Sequence, residues 1–163
     1  MKRPYGLWLA CLCMLAASTA WAIMLDVPMN QLVASSSSVV RGQVTGLNSH
    51  WTSDHTNIVT DVTFRVDEDW VGAIQPGTTL TLTVMGGEVG EVGQRTEHQP
   101  VFSKDQFAVL FLAESPSARL VINYDEQGAY TVEGDQTIGA KGQIVPISSL
   151  KATVGSMKSM RKR

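Results

Sequence analysis

Between residues 58 and 66 the chain alternates without a break. Ile58, Thr60, Val62, Phe64 and Val66 fall on one side of an extended backbone, and Asp61, Thr63 and Arg65 on the other. A side-chain period of two suits a strand with one buried face and nothing helical. The pattern returns over 78–85, where Leu80, Leu82 and Val84 face inward and threonines outward. It also runs through 39–47, where Val40, Gly42 and Val44 alternate with Arg41, Gln43 and Thr45. Gly42 and Gly46 mark that strand as coiled or bulged, as a bending barrel strand must be. Residues 107–112 are apolar at every position, which suits a central strand covered on both faces. Segments 119–124 and 129–132 read as a hairpin joined by Asp125-Glu126-Gln127-Gly128, and a last strand over 143–147 leads into a helix from Ser148. A short helix is expected over 26–34, with Pro28 near its first turn and Met29, Leu32 and Val33 on one side. The serines at 35–38 end it as a brief linker. Helical periodicity is missing between the strands, which excludes a doubly wound α/β fold. The expected class is mainly β: a small antiparallel OB-like barrel with a short N-terminal helix and a C-terminal helix, the alternative being a β-sandwich.

Composition sets the compartment. The 163 residues are 44% hydrophobic and 17% charged with a net charge of −2, which fits one small domain and not a disordered chain. Met1-Lys2-Arg3, an apolar run over 7–17 and the small residues Ala20 and Ala22 have the layout of a Sec-type signal peptide cleaved after Ala22. The run is shorter than the ~20 residues of a spanning helix, so no transmembrane segment is expected after cleavage. The expected organisation is a leader over 1–22, one β-rich domain over 23–157 and a basic tail over 158–163, in the periplasm or outside the cell. Cys11 and Cys13 leave with the leader, which excludes disulfides, thiol catalysis and cysteine-ligated zinc. The body is acidic, which argues against nucleic-acid binding. Lys158, Arg161, Lys162 and Arg163 form either a solvated end or a peripheral contact for anionic lipid.

A resemblance rests on an ordered series of short motifs. Trp51-x-x-Asp54-x-x-Asn57-Ile58-x-Thr60 is followed by Val66, Trp70-Val71-Gly72, Gly86-Gly87-Glu88-x-Gly90, Pro100-x-Phe102 and Val109-Leu110-Phe111-Leu112. Over 25–112 this series resembles a little-characterised family of secreted bacterial proteins. That family's OB-like barrel is similar to the netrin-like domain of the tissue inhibitors of metalloproteinases. The resemblance implies export and an OB-like fold, and it brings no settled activity. Lys104-Asp105-Gln106 departs from the pattern where a Gly-Glu pair is common. The metalloproteinase inhibitors also chelate zinc through an amino-terminal cysteine, whereas cleavage after Ala22 leaves Ile23 first.

Few residues carry recognisable chemistry. His50, Asp54 and His55 sit between the first two long strands, where two imidazoles and a carboxylate are candidate metal ligands or an acid–base pair. Their spacing matches no zinc signature, and the alternative is a polar hairpin tip; His98 joins them only if its loop folds back. Asp67-Glu68-Asp69 alternates faces at a strand end and cannot converge on calcium. Trp51 and Trp70 flank the second strand as barrel-end plugs or stacking platforms. The stretch 85–93 is rich in glycine but lacks the Lys and Ser/Thr of a phosphate loop, and Glu88 and Glu91 would repel phosphate. No nucleophile elbow or Ser-x-x-Lys motif is present. The connection over 86–104 is long for a compact domain, and long loops are often functional. The expected function is therefore an exported, non-enzymatic protein without a cofactor that binds another protein, with an exported peptidase as one candidate partner. Its expected contacts are Trp51, Gly86, Gly87, Glu88, Gly90, Pro100 and Phe102. A metal-binding protein or metal-dependent enzyme, and an envelope-associated structural protein, are the alternatives.

Overall fold

The computed structural model describes residues 26–72 and 74–161. The leader expected over 1–22, with Cys11 and Cys13, lies outside the described residues, as do the tail residues Lys162 and Arg163.

The alternating segments form the long strands. β1 (Ser38–Trp51) pairs antiparallel with β2 (Ile58–Asp69) along its length, and β2 pairs with β3 (Thr79–Met85). β6 (Phe107–Glu114) joins the other side of β1, matching Ser38–Gln43 to residues 107–112. Two register shifts in the β1–β2 ladder fall at Arg41/Gly42 and Val44/Gly46, beside the two glycines that mark the strand as bulged. Gly42 is also a close-approach site. A Cβ there would run into the Arg65 carbonyl oxygen and stand 2.8 Å from the Phe64 ring.

The protein is mainly β, with a short N-terminal helix and a C-terminal helix. With β7 (Leu120–Ile122), β8 (Ala129–Glu133), β9 (Gln136–Ile138) and β10 (Ile144–Pro146), its main sheet is an open path, β10-β9-β8-β6-β1-β2-β3, with β7 also on β6. No pairing among the described residues joins β3 back to the far end, so the barrel is not closed by hydrogen bonds. β7 and β8 do not pair with each other as a hairpin. Both add to the same edge of β6, β8 on its first half and β7 on its last, with a 3-10 turn at Asp125–Gly128 between them. β9 and β10 complete the sheet.

The two faces bury separate cores. Inside the curl, Val40, Val44, Val62, Phe64, Val66, Leu82, Val84, Ala108, Leu110 and Leu112 pack together, with Phe102 against them. On the outer face, Val39, Val109, Phe111 and Tyr130 meet Leu32 and Val33 of α1 (Met29–Ser35) and Leu150 and Val154 of α2 (Ile147–Arg161). Alternate residues over 108–112 of β6 thus serve both cores, which is why that stretch is apolar at every position. Pro28 precedes α1 in an extended conformation, its carbonyl accepting the Gln31 and Leu32 N–H. The serine run is an ordered elbow and not a linker. The Ser36 hydroxyl donates to the Leu32 carbonyl, Asn123 donates to Ser35 and Ser36, and Ser37 N–H reaches the Leu112 carbonyl. α2 continues through Lys158, so the basic tail starts within a helix.

Two glycines separate packing from propensity. Gly42→Ala forces a side chain into the β2 backbone and should destabilise by about 1–3 kcal/mol. Gly155, in α2 with open space where a Cβ would sit, should gain about 0.5–1 kcal/mol on change to Ala. Denaturant unfolding of the two variants beside the parent protein measures both signs.

Candidate functional site

The long connection between β3 and β6 is where sequence patterning breaks down, and it folds into two ordered pieces. First comes a small hairpin, β4 (Gly87–Val89) with β5 (Val92–Gln94), turning at Gly90 with φ 62°. It docks on the far end of the β1–β2 hairpin through its glycines and one glutamine. Gly86 N–H donates to the Ile58 carbonyl at 2.8 Å, and the Thr60 hydroxyl donates to the Gly86 carbonyl at 2.7 Å. The Gln94 side-chain oxygen accepts Ile58 N–H at 2.5 Å, while its amide donates to Asn57 at 3.0 Å. Gly87 has φ 138°, and a Cβ there would strike the Thr60 hydroxyl and stand 2.5 Å from the Ser49 hydroxyl. Only glycine meets both demands, the backbone angle and the close approach.

The second piece, residues 95–102, crosses the mouth of the curled sheet as a strap. Phe102 anchors one end in the inner core. Gln99 anchors the middle, donating to Asp125 at 2.8 Å and accepting Met85 N–H at 3.4 Å. His98 lies 3.3 Å from the Glu126 carboxylate, and Glu126 N–H donates to the His98 carbonyl at 3.0 Å. Where the strap meets the 3-10 turn, three non-glycine residues are left-handed: His98 (φ 64°), Tyr124 (φ 56°) and Asp125 (φ 52°). Such backbone is costly and survives where surrounding contacts hold it.

The strap leaves a cavity of about 340 Å3 toward β2 and β3 and another of about 220 Å3 toward β6 and β8. Val62 and Val84 of the core, Thr60, Met85 and the strap's Pro100, Val101 and Phe102 line the larger one. Of the expected contact residues, Gly86, Gly87, Glu88, Pro100 and Phe102 line this cavity; Trp51 and Gly90 do not. Trp51 closes β1 beside the tip, its ring 6.4 Å from that of His55. Sequence reasoning did not single out Leu47, Met85, Gln94, Arg95, Gln99 or Val101, which also line it, although the last four lie within the long connection that it marked. Val101, flanked by two residues it did single out, is 71% exposed.

The candidate metal residues are turned to other work. His50 extends along the sheet, with Nε2 3.1 Å from Asp61, whose other oxygen accepts the Thr83 hydroxyl at 2.6 Å. The Trp51 carbonyl, then Asp61, raise the His50 pKa above its ordinary 6.5. Asp54 faces its own turn, where the Thr52 hydroxyl and Thr56 N–H hold it at about 2. His55 is left-handed at the tip with φ 54°. His98 does fold back, but onto Glu126 and not toward these residues. Among the described residues no group of three or more His, Cys, Asp or Glu is placed to hold a metal ion.

The acidic triplet and Trp70 belong to the opposite end of β2. Asp67 lies 3.8 Å from Arg65, and Glu68 accepts from Lys151 at 2.6 Å and from the Trp70 ring N–H at 3.0 Å. Asp69 accepts N–H groups from Val71, Gly72 and Ile74. Burial pushes its pKa up, and those bonds, led by Gly72, outweigh it to leave the pKa below the usual value. No helix among the described residues is long and apolar enough to cross a membrane. No family model matches the chain, and no curated protein matches it.

Two outcomes follow from this geometry. Gly87→Ala should cost about 1–3 kcal/mol through strain and overlap with Thr60 and Ser49, read as a shift in denaturant midpoint. Asp61→Asn should lower the His50 titration midpoint toward 6.5, observed by NMR of the ring protons. The linkage has a defined window. The raised His50 pKa contributes stability below 6.5, lost as pH rises through the folded value. Asp61, shifted down chiefly by Thr83, contributes above 3.8, and that is lost as pH falls through its folded value.

Proposed function

We propose that the protein is an exported, non-enzymatic β-domain that binds another protein through the end of the sheet carrying the 51–58 tip, the β4–β5 hairpin and the strap. The observation that carries this reading is the build of that end. Gln94 ties the hairpin to the tip, so three loops form one continuous surface. Around its cavity Leu47, Met85 and Val101 are 40%, 37% and 71% exposed. Exposed apolar side chains gathered at one concave place, rimmed by polar groups, are typical of interaction sites. Most of the sheet's other large apolar residues lie in the two cores, with Phe107, Val121 and Ile144 exposed singly on separate strands.

Export rests on the leader motif over 1–22, and the netrin-like resemblance rests on the motif series from Trp51 to Leu112. Together they favour an exported partner, with a peptidase that this domain escorts or inhibits as the specific variant. Inhibition by an amino-terminal cysteine, as in the metalloproteinase inhibitors, is not part of it. Any such inhibition would use the strap end.

The test is affinity capture of the tagged protein from its own envelope and medium, alongside Val101→Asp. That side chain is exposed, so the charge should leave the thermal transition within about 0.5 kcal/mol of the parent. The expected result is a stoichiometric protein partner captured by the parent and lost by the variant. Equal capture by both, or no partner at all, overturns the reading.

A further inference from the structure

The larger cavity has a chemistry of its own. Its floor is apolar, made by Val62 and Val84, and its wall is Met85 with Pro100, Val101 and Phe102. The polar groups at its base are already used, since the Thr60 hydroxyl donates to the Gly86 carbonyl and lies 2.8 Å from that of Ser49. What enters is therefore apolar, because an inserted polar group would find little to bond. The rim is different. Arg95 stands on the strap where the two cavities meet, lining both. It has no hydrogen-bond or ion-pair partner among the described residues. Glu126 is paired with His98, and Glu88, which also lines the larger cavity, makes no ion pair with Arg95. A guanidinium free at the lip of an apolar hole calls for an anion attached to an apolar group, and its planar fork suits a carboxylate.

The β3 edge adds a third element. Val66 N–H bonds to the Thr78 carbonyl and Gly86 N–H to that of Ile58, so the even-numbered residues of β3 face β2. By the alternation of an antiparallel ladder, Thr83 and Met85 turn their main-chain groups outward. Met85 N–H has only the long 3.4 Å contact to Gln99. β10, at the other end of the sheet, is three residues long and ends in Pro146, the usual protection of an edge. β3 carries no charge and no proline, Thr79-Leu80-Thr81-Leu82-Thr83-Val84-Met85, and its outward edge has no strand partner among the described residues.

We infer that the mouth beneath the strap captures the C-terminal residue of a partner polypeptide, its apolar side chain in the cavity and its carboxylate on Arg95. The preceding main chain lies against the Thr83–Met85 edge, the added-strand mode of peptide recognition. This rests on the protein-binding reading above and specifies which part of the partner is recognised.

The experiment uses a fluorescein-labelled hexapeptide, Gly-Ser-Gly-Ser-Ala-Leu, as free acid and as C-terminal amide, with decanoate as a competitor. Anisotropy titration of the purified protein should show the acid binding about tenfold or more tighter than the amide, equivalent to about 1.4 kcal/mol. Arg95→Gln should remove that preference and leave amide binding unchanged, and Val101→Asp should weaken both forms. An unchanged thermal transition for Arg95→Gln confirms that folding is not the cause. Equal binding of acid and amide, an acid preference that survives Arg95→Gln, or no peptide binding overturns the inference. So does decanoate binding without peptide binding, which assigns the cavity to lipid-like carboxylates. If peptides fail while Val101→Asp still loses the captured partner, only this inference falls; if that variant keeps its partner, both readings fall.

Discussion

β1 is the strand on which the rest of the structure depends. It is bonded along its first half on both sides, to β2 and to β6, and buried on both faces through Val39, Val40 and Val44. Its two bulges bend the sheet far enough for Leu82 and Val84 on β3 to share a core with Ala108, Leu110 and Leu112 on β6. Its second half matters as much for what it lacks. The β6 ladder ends at Gln43, with a last pair of bonds from Val44 to Gln106 and Asp105. Beyond that point β1 and β2 run on with only β3 beside them in the sheet. The mouth, the β4–β5 hairpin and the strap all occupy the space that β6 leaves.

How much of this was legible in the sequence depends on how local each cause is. β1, β2, β3 and β6 were readable because each is long and its burial repeats every second residue. The β7–β8 pair was misread because Asp125-Glu126-Gln127-Gly128 has turn composition, and composition cannot say which strand receives the flanking residues. Here β6 does, and it takes both. β4 and β5 are three residues each and rich in glycine, too short for any period to show. The serine run looked like a linker because its partners, Leu32, Leu112 and Asn123, are defined only by the fold.

The site divides along the same line. Gly86, Gly87, Pro100 and Phe102 stood out by residue type, and they come together because backbone shape and core plugging need those types. Arg95, Gln94 and Gln99 act through single side-chain contacts, or through the want of one, and no spacing announces that. His50, Asp54 and His55 show the converse. They are close in sequence but one lies along the sheet, one closes a turn and one caps the tip. Only a converging geometry would make them ligands.

The strap end and the sheet core are held by different forces. The core is close-packed apolar surface on two faces, whereas the strap is held by Phe102 and by hydrogen bonds from Gln99 and Glu126, which also hold the costly left-handed backbone at His98. A segment held this way opens at lower free energy than the strands beneath it, and such segments commonly serve recognition. The most direct measurement is amide hydrogen exchange of the protein with and without its captured partner. New protection confined to 85–102 and the adjoining 51–58 tip, with α2 unchanged, is the predicted result. Protection gained on α1 and α2 while the mouth exchanges as before would place recognition on the helical face and contradict the account.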